Sequence, residues 1–434
     1  MGRRSALGAA IACAALGCLA PPVAAETDWT ALRTLNIAHQ GGENEVPSNT
    51  MYAYERALYL GADMLEVDIH TTADGQVVVL HDGTVDRTTN GSGSVYDMTL
   101  TELQALDAAY DFVPGLGIRS GRPVEDYRFR GIRTGERKPP LGFKPHDFRI
   151  PALQQVMRTF PDVPINIEIK GRADTDLASF NRNAEHLAAL LNRLGRTDGI
   201  IVASFNDAAL QTFHQLAPEI KLAPGIAGVA AFKFGNVPPP EGTVAFQVPI
   251  EFEGIPVTDA DFVQRAHAGG YAVHVWTIND EPTMLQLLDL GVDGVMTAEP
   301  ARLERVLCDQ QVARPPRPAG IPGKHCNHRR VSIACDVFAR GPVRLLPDRL
   351  RLEVAREDDF PGRCAGRVEL LPPGLHAGAG FDFGELPPGE GGPESLRIAI
   401  PLSAGDREKL GDRPRVAVGA TPYDAFSRRT IMGL

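Results

Sequence analysis

Apolar and polar positions along residues 63–82 predict a β-hairpin. Met64, Leu65, Val67 and Ile69 form one strand-type run and Val77, Val78, Val79 and Leu80 a second, with the polar turn Thr72-Ala73-Asp74-Gly75 between them. The link is far shorter than the roughly ten residues a parallel crossover needs, so the second run must return antiparallel. Ahead of the hairpin, Leu35 to His39 reads as a strand, and Pro47-Ser48-Asn49-Thr50 opens a helix through Gly61 with Ser48 or Asn49 as N-cap. After it, residues 83–150 are polar and irregular apart from a short helix near Thr99 to Asp107, and a stretch that long reads as a functional insertion or lid. Regular alternation then resumes. Helices are predicted over Pro151–Phe160, Asp176–Leu194, Asp207–Leu216, Asp259–Ala268 and Glu281–Leu290. Setting the return strand aside, parallel strands fall near residues 37, 66, 167, 202, 222, 246, 274 and 295. Strand and helix alternating around eight parallel strands predict an α/β protein, a (β/α)8 TIM barrel.

The pattern changes at both ends. Residues 309–323 form a Pro-rich linker. Beyond it, runs near 330–338, 349–355, 366–371, 395–400 and 413–418 alternate as short strands between Pro/Gly turns, which predicts a small all-β accessory domain over residues 324–434, read as a β-sandwich. At the start, Arg3 and Arg4 precede an apolar run from Ala6 to Ala20 and the small residues Val23-Ala24-Ala25, the form of a secretory signal over residues 1–25. That run is shorter than the roughly twenty residues of a membrane span. A lipoprotein cleavage before Cys18 is disfavoured, because Leu16 stands one position off the usual pattern. The expectation is an exported chain, periplasmic or secreted, with no integral membrane segment after cleavage.

The 434 residues suffice for a barrel of about 250 residues and a smaller domain of about 100. A net charge of −10 excludes a general nucleic-acid binder, since nothing supplies a basic face. The basic stretch from Arg119 to Lys138 lies in the long irregular segment and reads as solvated loop or, alternatively, as a phosphate-facing lid. Export also changes how the cysteines are read. Two of the six leave with the leader, and Cys308, Cys326, Cys335 and Cys364 remain to form two disulfides in one of three connectivities. A zinc site from His325, Cys326, His328 and Cys335 is the alternative, although its spacing fits no standard pattern.

Glu66 and Asp68 stand two apart on the predicted strand, so both carboxylates face away from Leu65, Val67 and Ile69. Folding about Asp74-Gly75 returns His81 to within a residue of Asp68. Carboxylates that close repel unless a cation or proton lies between them, which points to a hard metal ion; the competing reading is a solvated edge strand. The barrel favours the first. Its chemistry gathers at the C-terminal ends of strands, and there His39 ends the first strand, Glu66 and Asp68 lie near the end of the second, Glu168 and Lys170 near the third, with Ser204 ending the fourth and Trp276 the seventh. Three carboxylates make a partial shell for Ca²⁺ or Mg²⁺. Lys170 is placed to meet an anion or to neutralise Glu168, and Trp276 either faces a ligand or packs the barrel.

In order and spacing, His39-Gln40-Gly41, Pro47-Ser48-Asn49-Thr50, Glu66-Val67-Asp68, Val79-Leu80-His81-Asp82, Asp86-Arg87-Thr88-Thr89, Ile167-Glu168-Ile169-Lys170, Ser204-Phe205, Trp276-Thr277-Ile278-Asn279 and Gly291-Val292-Asp293-Gly294 resemble the glycerophosphodiester phosphodiesterase family over residues 34–307. The resemblance implies a metal-dependent hydrolase that splits small-molecule glycerophosphodiesters into sn-glycerol 3-phosphate and an alcohol. By position, Glu66, Asp68 and Glu168 would hold a divalent ion, Ca or Mg. His39 and His81 would serve as acid and base, in an order the sequence does not fix, and Gln40, Lys170 and Trp276 would contact substrate. Two positions depart from the pattern: Gln40 stands where the family has Arg, and Ser48 where it has Glu. The double loss is charge-neutral, which leaves the metal ligands intact and puts phosphate grip in question, since an amide replaces a bidentate guanidinium. Glu43 and Glu45 lie near enough in sequence to supply the missing carboxylate. Competing readings are phospholipase D-like or teichoic-acid cleavage, and a barrel that binds phosphodiesters without turnover. An envelope contact through the accessory domain is a further expectation.

Overall fold

The expected parallel strands close into a barrel in the computed structural model. In chain order the elements are β1 (Leu35–Ala38), β2 (Met64–Thr71) with its return strand β3 (Val77–Val79), β4 (Ile165–Ile169), β5 (Ile200–Ala203), β6 (Lys221–Leu222), β7 (Ala245–Val248), a surface hairpin β8 (Glu251–Phe252) and β9 (Ile255–Pro256), then β10 (Ala272–Val275) and β11 (Gly294–Thr297). Neighbours run β6-β5-β4-β2-β1-β11-β10-β7, and an isolated parallel bridge from Leu222 to Thr243 joins the ends. The structure describes residues 27–31, 34–140, 142–317, 321, 325–326 and the strands 337–345, 349–356, 364–371, 379–386, 395–401, 415–421 and 430–433. The expected leader, His328 and Cys335 lie outside these.

Strands buried on both faces need apolar side chains both inward and outward. Ile37, Met64, Ile201, Ala245, Ala272 and Met296 fill the interior below the mouth. Leu65, Val67, Ile69, Ile167 and Val202 face outward into one helical layer, and Val273, Val275 and Val295 into another. The helices packed around the barrel are α1 (Met51–Leu60), α2 (Leu153–Thr159), α3 (Leu177–Leu194), α4 (Asp207–Leu216), α5 (Ile226–Gly235), α6 (Ala260–Ala268), α7 (Glu281–Leu290) and α8 (Pro300–Asp309). The cap of α1 is Thr50, whose hydroxyl accepts from the Ala53 N–H at 3.1 Å, rather than Ser48 or Asn49. Asn49 has φ 54, a left-handed conformation outside the extended geometry of an N-cap. Helix α5 escaped the sequence reading because its apolar residues run all round with no helical period.

The segment 83–150 forms a side layer rather than a lid. Phe112, Phe129, Ile132 and Phe148 are buried against Tyr52 of α1, and Tyr52 stacks on Phe148 with centroids 4.6 Å apart. Arg130 serves the segment itself, lying over the rings of Tyr110 and Tyr127 and pairing with Asp111. Beyond the barrel, the described strands form two antiparallel sheets. One orders Val337–Leu345, Arg349–Arg356 and Ser395–Pro401; the other orders Ala379–Leu386, Cys364–Leu371, Arg415–Thr421 and Thr430–Gly433.

The first part of the expected linker is packed across the N-terminal end of the barrel. Arg314 donates to the Thr34 carbonyl at 2.7 Å and pairs with Asp63 at 2.5 Å and Glu304 at 3.1 Å, with all three side chains buried. His325 lies 3.2 Å from each of the same two carboxylates. Cys326 forms a disulfide with Cys308, which removes its thiolate from the zinc alternative. Deleting the guanidinium would take from two buried acids the cation that both of them share. Arg314→Ala is therefore expected to destabilise the chain by about 3 kcal/mol, read from urea unfolding.

Candidate active site

Strand register brings the predicted acids together. Asp68 pairs with Glu168 across β2 and β4, and Ala38 pairs with Leu65, so His39 leaves β1 beside Glu66. One carboxylate oxygen each of Glu66, Asp68 and Glu168 lies within 4.8 Å of the others. The return strand pairs Val79 with Ile69, and the Leu80 N–H donates to the Asp68 carbonyl at 3.0 Å, which places His81 at the same mouth. His70, next inward-facing residue along β2, sits 3.1 Å from the His81 carbonyl and 2.8 Å from the Tyr96 hydroxyl, pinning the turn.

Each site histidine presents one nitrogen to a carboxylate. His39 Nδ1 lies 2.8 Å from Glu43 Oε1, and its Nε2 faces Glu66 at 4.0 Å. His81 Nδ1 lies 2.7 Å from Asp82 Oδ1, Arg87 clamps that carboxylate at 2.7 and 3.0 Å, and His81 Nε2 is 3.3 Å from Lys170 Nζ. Lys170 Nζ is also 2.8 Å from Glu168 and 3.3 Å from Asp68, so the ammonium sits among the acids as well as beside the imidazole.

Burial and mutual repulsion set the electrostatics. Burial, then the Asp68 and Glu168 charges, outweigh the pull of His39 and push Glu66 up to about 8. Burial also dominates at Glu168, which is raised despite Lys170. Asp68 is held below its ordinary value, because Lys170 and the two histidines overcome its burial. At His39 burial opposes the charge, but Glu66, Glu43 and Asp68 together raise it to about 9. The donor set suits a divalent ion on one further ground: Glu66 Oε1 is buried and accepts no hydrogen bond, Asp68 Oδ1 and Glu168 Oε1 meet only the Lys170 ammonium, and all three belong to the oxygen type such ions prefer.

Gln40 serves the site through its backbone. Its N–H donates to Glu66 Oε2 at 2.7 Å, while its buried side-chain oxygen accepts from Asn49 at 3.4 Å. Asn49 also donates to Asp68 Oδ2 at 3.3 Å, a supporting role that the sequence reading missed although the Pro-Ser-Asn-Thr motif held the signal. Trp276 lines the mouth edge-on to Phe205, with centroids 5.5 Å apart. The cleft, about 340 Å³, runs from His39, His81, Glu168 and Lys170 to an apolar wall of α5 and the β8–β9 hairpin. Ile226, Phe234, Phe252 and Ile255 on that wall are exposed. None of residues 83–150 lines the cleft, whose outer wall is built by α5 and the hairpin instead.

Three carboxylates, two imidazoles and an ammonium gathered at the strand ends of one mouth mark the chain as a barrel enzyme. It belongs to the glycerophosphoryl diester phosphodiesterase family, whose model matches residues 39–302. A glycerophosphodiester phosphodiesterase of Caldanaerobacter subterraneus subsp. tengcongensis is 32% identical over 278 residues, covering 63% of this chain and 97% of the relative. A lysophospholipase D of Mus musculus is 27% identical over 298 residues, covering 63% of this chain and 85% of the relative. A crystal structure from Silicibacter pomeroyi, assigned to the glycerophosphoryl diester phosphodiesterases, shares the fold at a TM-score of 0.51 and 21% identity, covering 65% of this chain and 96% of the other.

The raised groups fix a pH dependence for the chain kept free of metal by a chelator. Glu66 titrates near 8 folded against 4.5 ordinarily, and His39 near 9 against 6.5, so the folded chain binds more protons than the unfolded one between pH 7 and 9. Stability is expected to fall as pH rises through that window. His70 and His274, both held near 4 by burial, act in the opposite sense only below 6.5. Thermal unfolding midpoints measured in chelator should decline from pH 7 to 9, and Glu66→Gln should flatten the decline; a midpoint that climbs would contradict the assignment.

Proposed function

We propose that this chain hydrolyses glycerophosphodiesters to sn-glycerol 3-phosphate and an alcohol, with a divalent ion, Ca or Mg, held by Glu66, Asp68 and Glu168 and with His39 and His81 as the acid–base pair. The observation that supports this most is the convergence of three carboxylates within 4.8 Å, flanked by two imidazoles that each offer Nε2 to the cleft. When bound, the ion supplies positive charge against the phosphodiester and the further charge of its pentacoordinate state. One imidazole takes a proton from the nucleophile, water or the glycerol 2-hydroxyl, and the other gives one to the leaving alkoxide. Lys170, beside His81, would hold a phosphate oxygen. Trp276 and Phe205 would border the leaving group.

A second reading, a substrate carrying a hydrocarbon tail, is favoured by the apolar wall. Phe234 is 66% exposed, Ile255 48% and Phe252 37%, and all three line the cleft that holds the histidines. Export is also part of the proposal: the N-terminal pattern supports it, and the Cys308–Cys326 pair suits an oxidising compartment.

Release of glycerol 3-phosphate from glycerophosphocholine, assayed across divalent metals, tests the proposal. His39→Ala or His81→Ala is expected to lower kcat by about 10²-fold or more with the fold retained, and wild-type rates in either variant would refute its role. Excess chelator should abolish turnover and added metal restore it. For the second reading, Phe252→Ser combined with Ile255→Ser is expected to raise KM for lysophosphatidylcholine about 10-fold and leave that for glycerophosphocholine unchanged.

A further inference from the structure

The two histidines are held in the same way by carboxylates of different origin. Asp82 follows His81 directly in the chain, and Arg87 clamps it with two hydrogen bonds. Glu43 reaches His39 from four residues on, across a turn that only a particular backbone can make. Gly41 has φ 79 and Gly42 φ 96, and both Gly42 N–H and Glu43 N–H donate to the His39 carbonyl, at 2.8 and 3.4 Å. A Cβ on Gly41 would meet Ala53 Cβ at 2.8 Å, so the turn cannot relax toward an ordinary residue there. The loop is tied down further on, where Asn44 N–H donates to the Ala298 carbonyl at 3.2 Å and Asn44 Nδ2 to Glu299 at 3.2 Å. Glu43 is thus presented to His39 by a fixed backbone, whereas Glu45 is turned away, accepting from the Ala301 N–H at 3.0 Å.

We propose that Glu43 is the positioning residue of His39. An imidazole has two ring nitrogens and can rotate to exchange them. A carboxylate is an acceptor only, so at 2.8 Å it fixes the proton on Nδ1 and leaves Nε2 toward Glu66 and the cleft. It also stabilises the imidazolium that forms when Nε2 takes a proton. Arg87 serves both sides, since its charge acts on Glu43 as well as on Asp82. The inference rests on His39 acting as acid or base in the proposed reaction.

The test uses the full chain with metal and glycerophosphocholine. Glu43→Ala is expected to lower kcat on the order of 10²-fold with KM within about threefold, and Glu43→Gln, which keeps an acceptor but no charge, to fall between it and wild type. In a His39→Ala background, Glu43→Ala should cost less than about twofold, because a residue that works through the ring has nothing left to position. Glu45→Gln should leave kcat within about twofold, and unfolding midpoints of all variants are compared so that a loss of fold is not mistaken for a loss of rate. Glu43→Ala at wild-type rate, an equal loss with His39 absent, or an equal loss in Glu45→Gln would each overturn the proposal. An inactive wild type would overturn the underlying reaction instead, which keeps the two failures distinct.

Discussion

Three acids forced into one small volume are the constraint on which the mouth of this barrel depends. Parallel register sets Asp68 beside Glu168, strand pleating puts Glu66 on the same inward face as Asp68, and burial removes the water that would screen them. The molecule's own answer is partial. Lys170 places one ammonium among them, His39 lends a second charge at 4.0 Å, and Glu66 still stays protonated to about pH 8. A proton and a divalent cation would compete for such a site, since its carboxylates must be ionised to hold a metal.

Around that centre the support is layered by element. Gln40 N–H and Asn49 hold one oxygen each of Glu66 and Asp68, and the turn after β1 carries His39 between them. The β2–β3 hairpin brings His81 in from the other side, fixed at its carbonyl by His70. The two imidazoles therefore hang from separate loops, yet each is tethered through Nδ1, and Arg87 ties the electrostatics of the two tethers together. The apolar wall belongs to a different part of the barrel. Helix α5 is anchored there by Lys233, which donates to the Val257 carbonyl at 3.0 Å and pairs with Asp259 at the start of α6.

Much of this was legible in the chain because its signals are local and periodic. The eight strands, the antiparallel return at Val77–Val79 and the convergence of His39, Glu66, Asp68, His81, Glu168 and Lys170 all follow from strand period and from the rule that barrel chemistry sits at strand ends. What escaped depends on contacts between distant residues or on segments without a period. Helix α5 is apolar on every side, so neither its boundaries nor the wall it builds could be read from alternation. The segment 83–150 looked like a lid because its buried aromatics are scattered among Gly, Pro and Arg, and only the partner surface on α1 reveals them as core. The choice between Glu43 and Glu45 turned on left-handed backbone at Gly41 and Gly42, which spacing alone does not disclose.

Arg314 changes where the barrel ends. Asp63 directly precedes β2 and Glu304 lies in α8, yet the side chain that neutralises both arrives from a Pro-rich stretch beyond that helix, and the Cys308–Cys326 link fastens the same stretch from its far side. The side chains that close the floor of the barrel thus reach as far along the chain as residue 326. Any recombination that grafted a new C-terminal module onto this barrel would have to splice downstream of that clasp, or else inherit a floor with uncompensated charge.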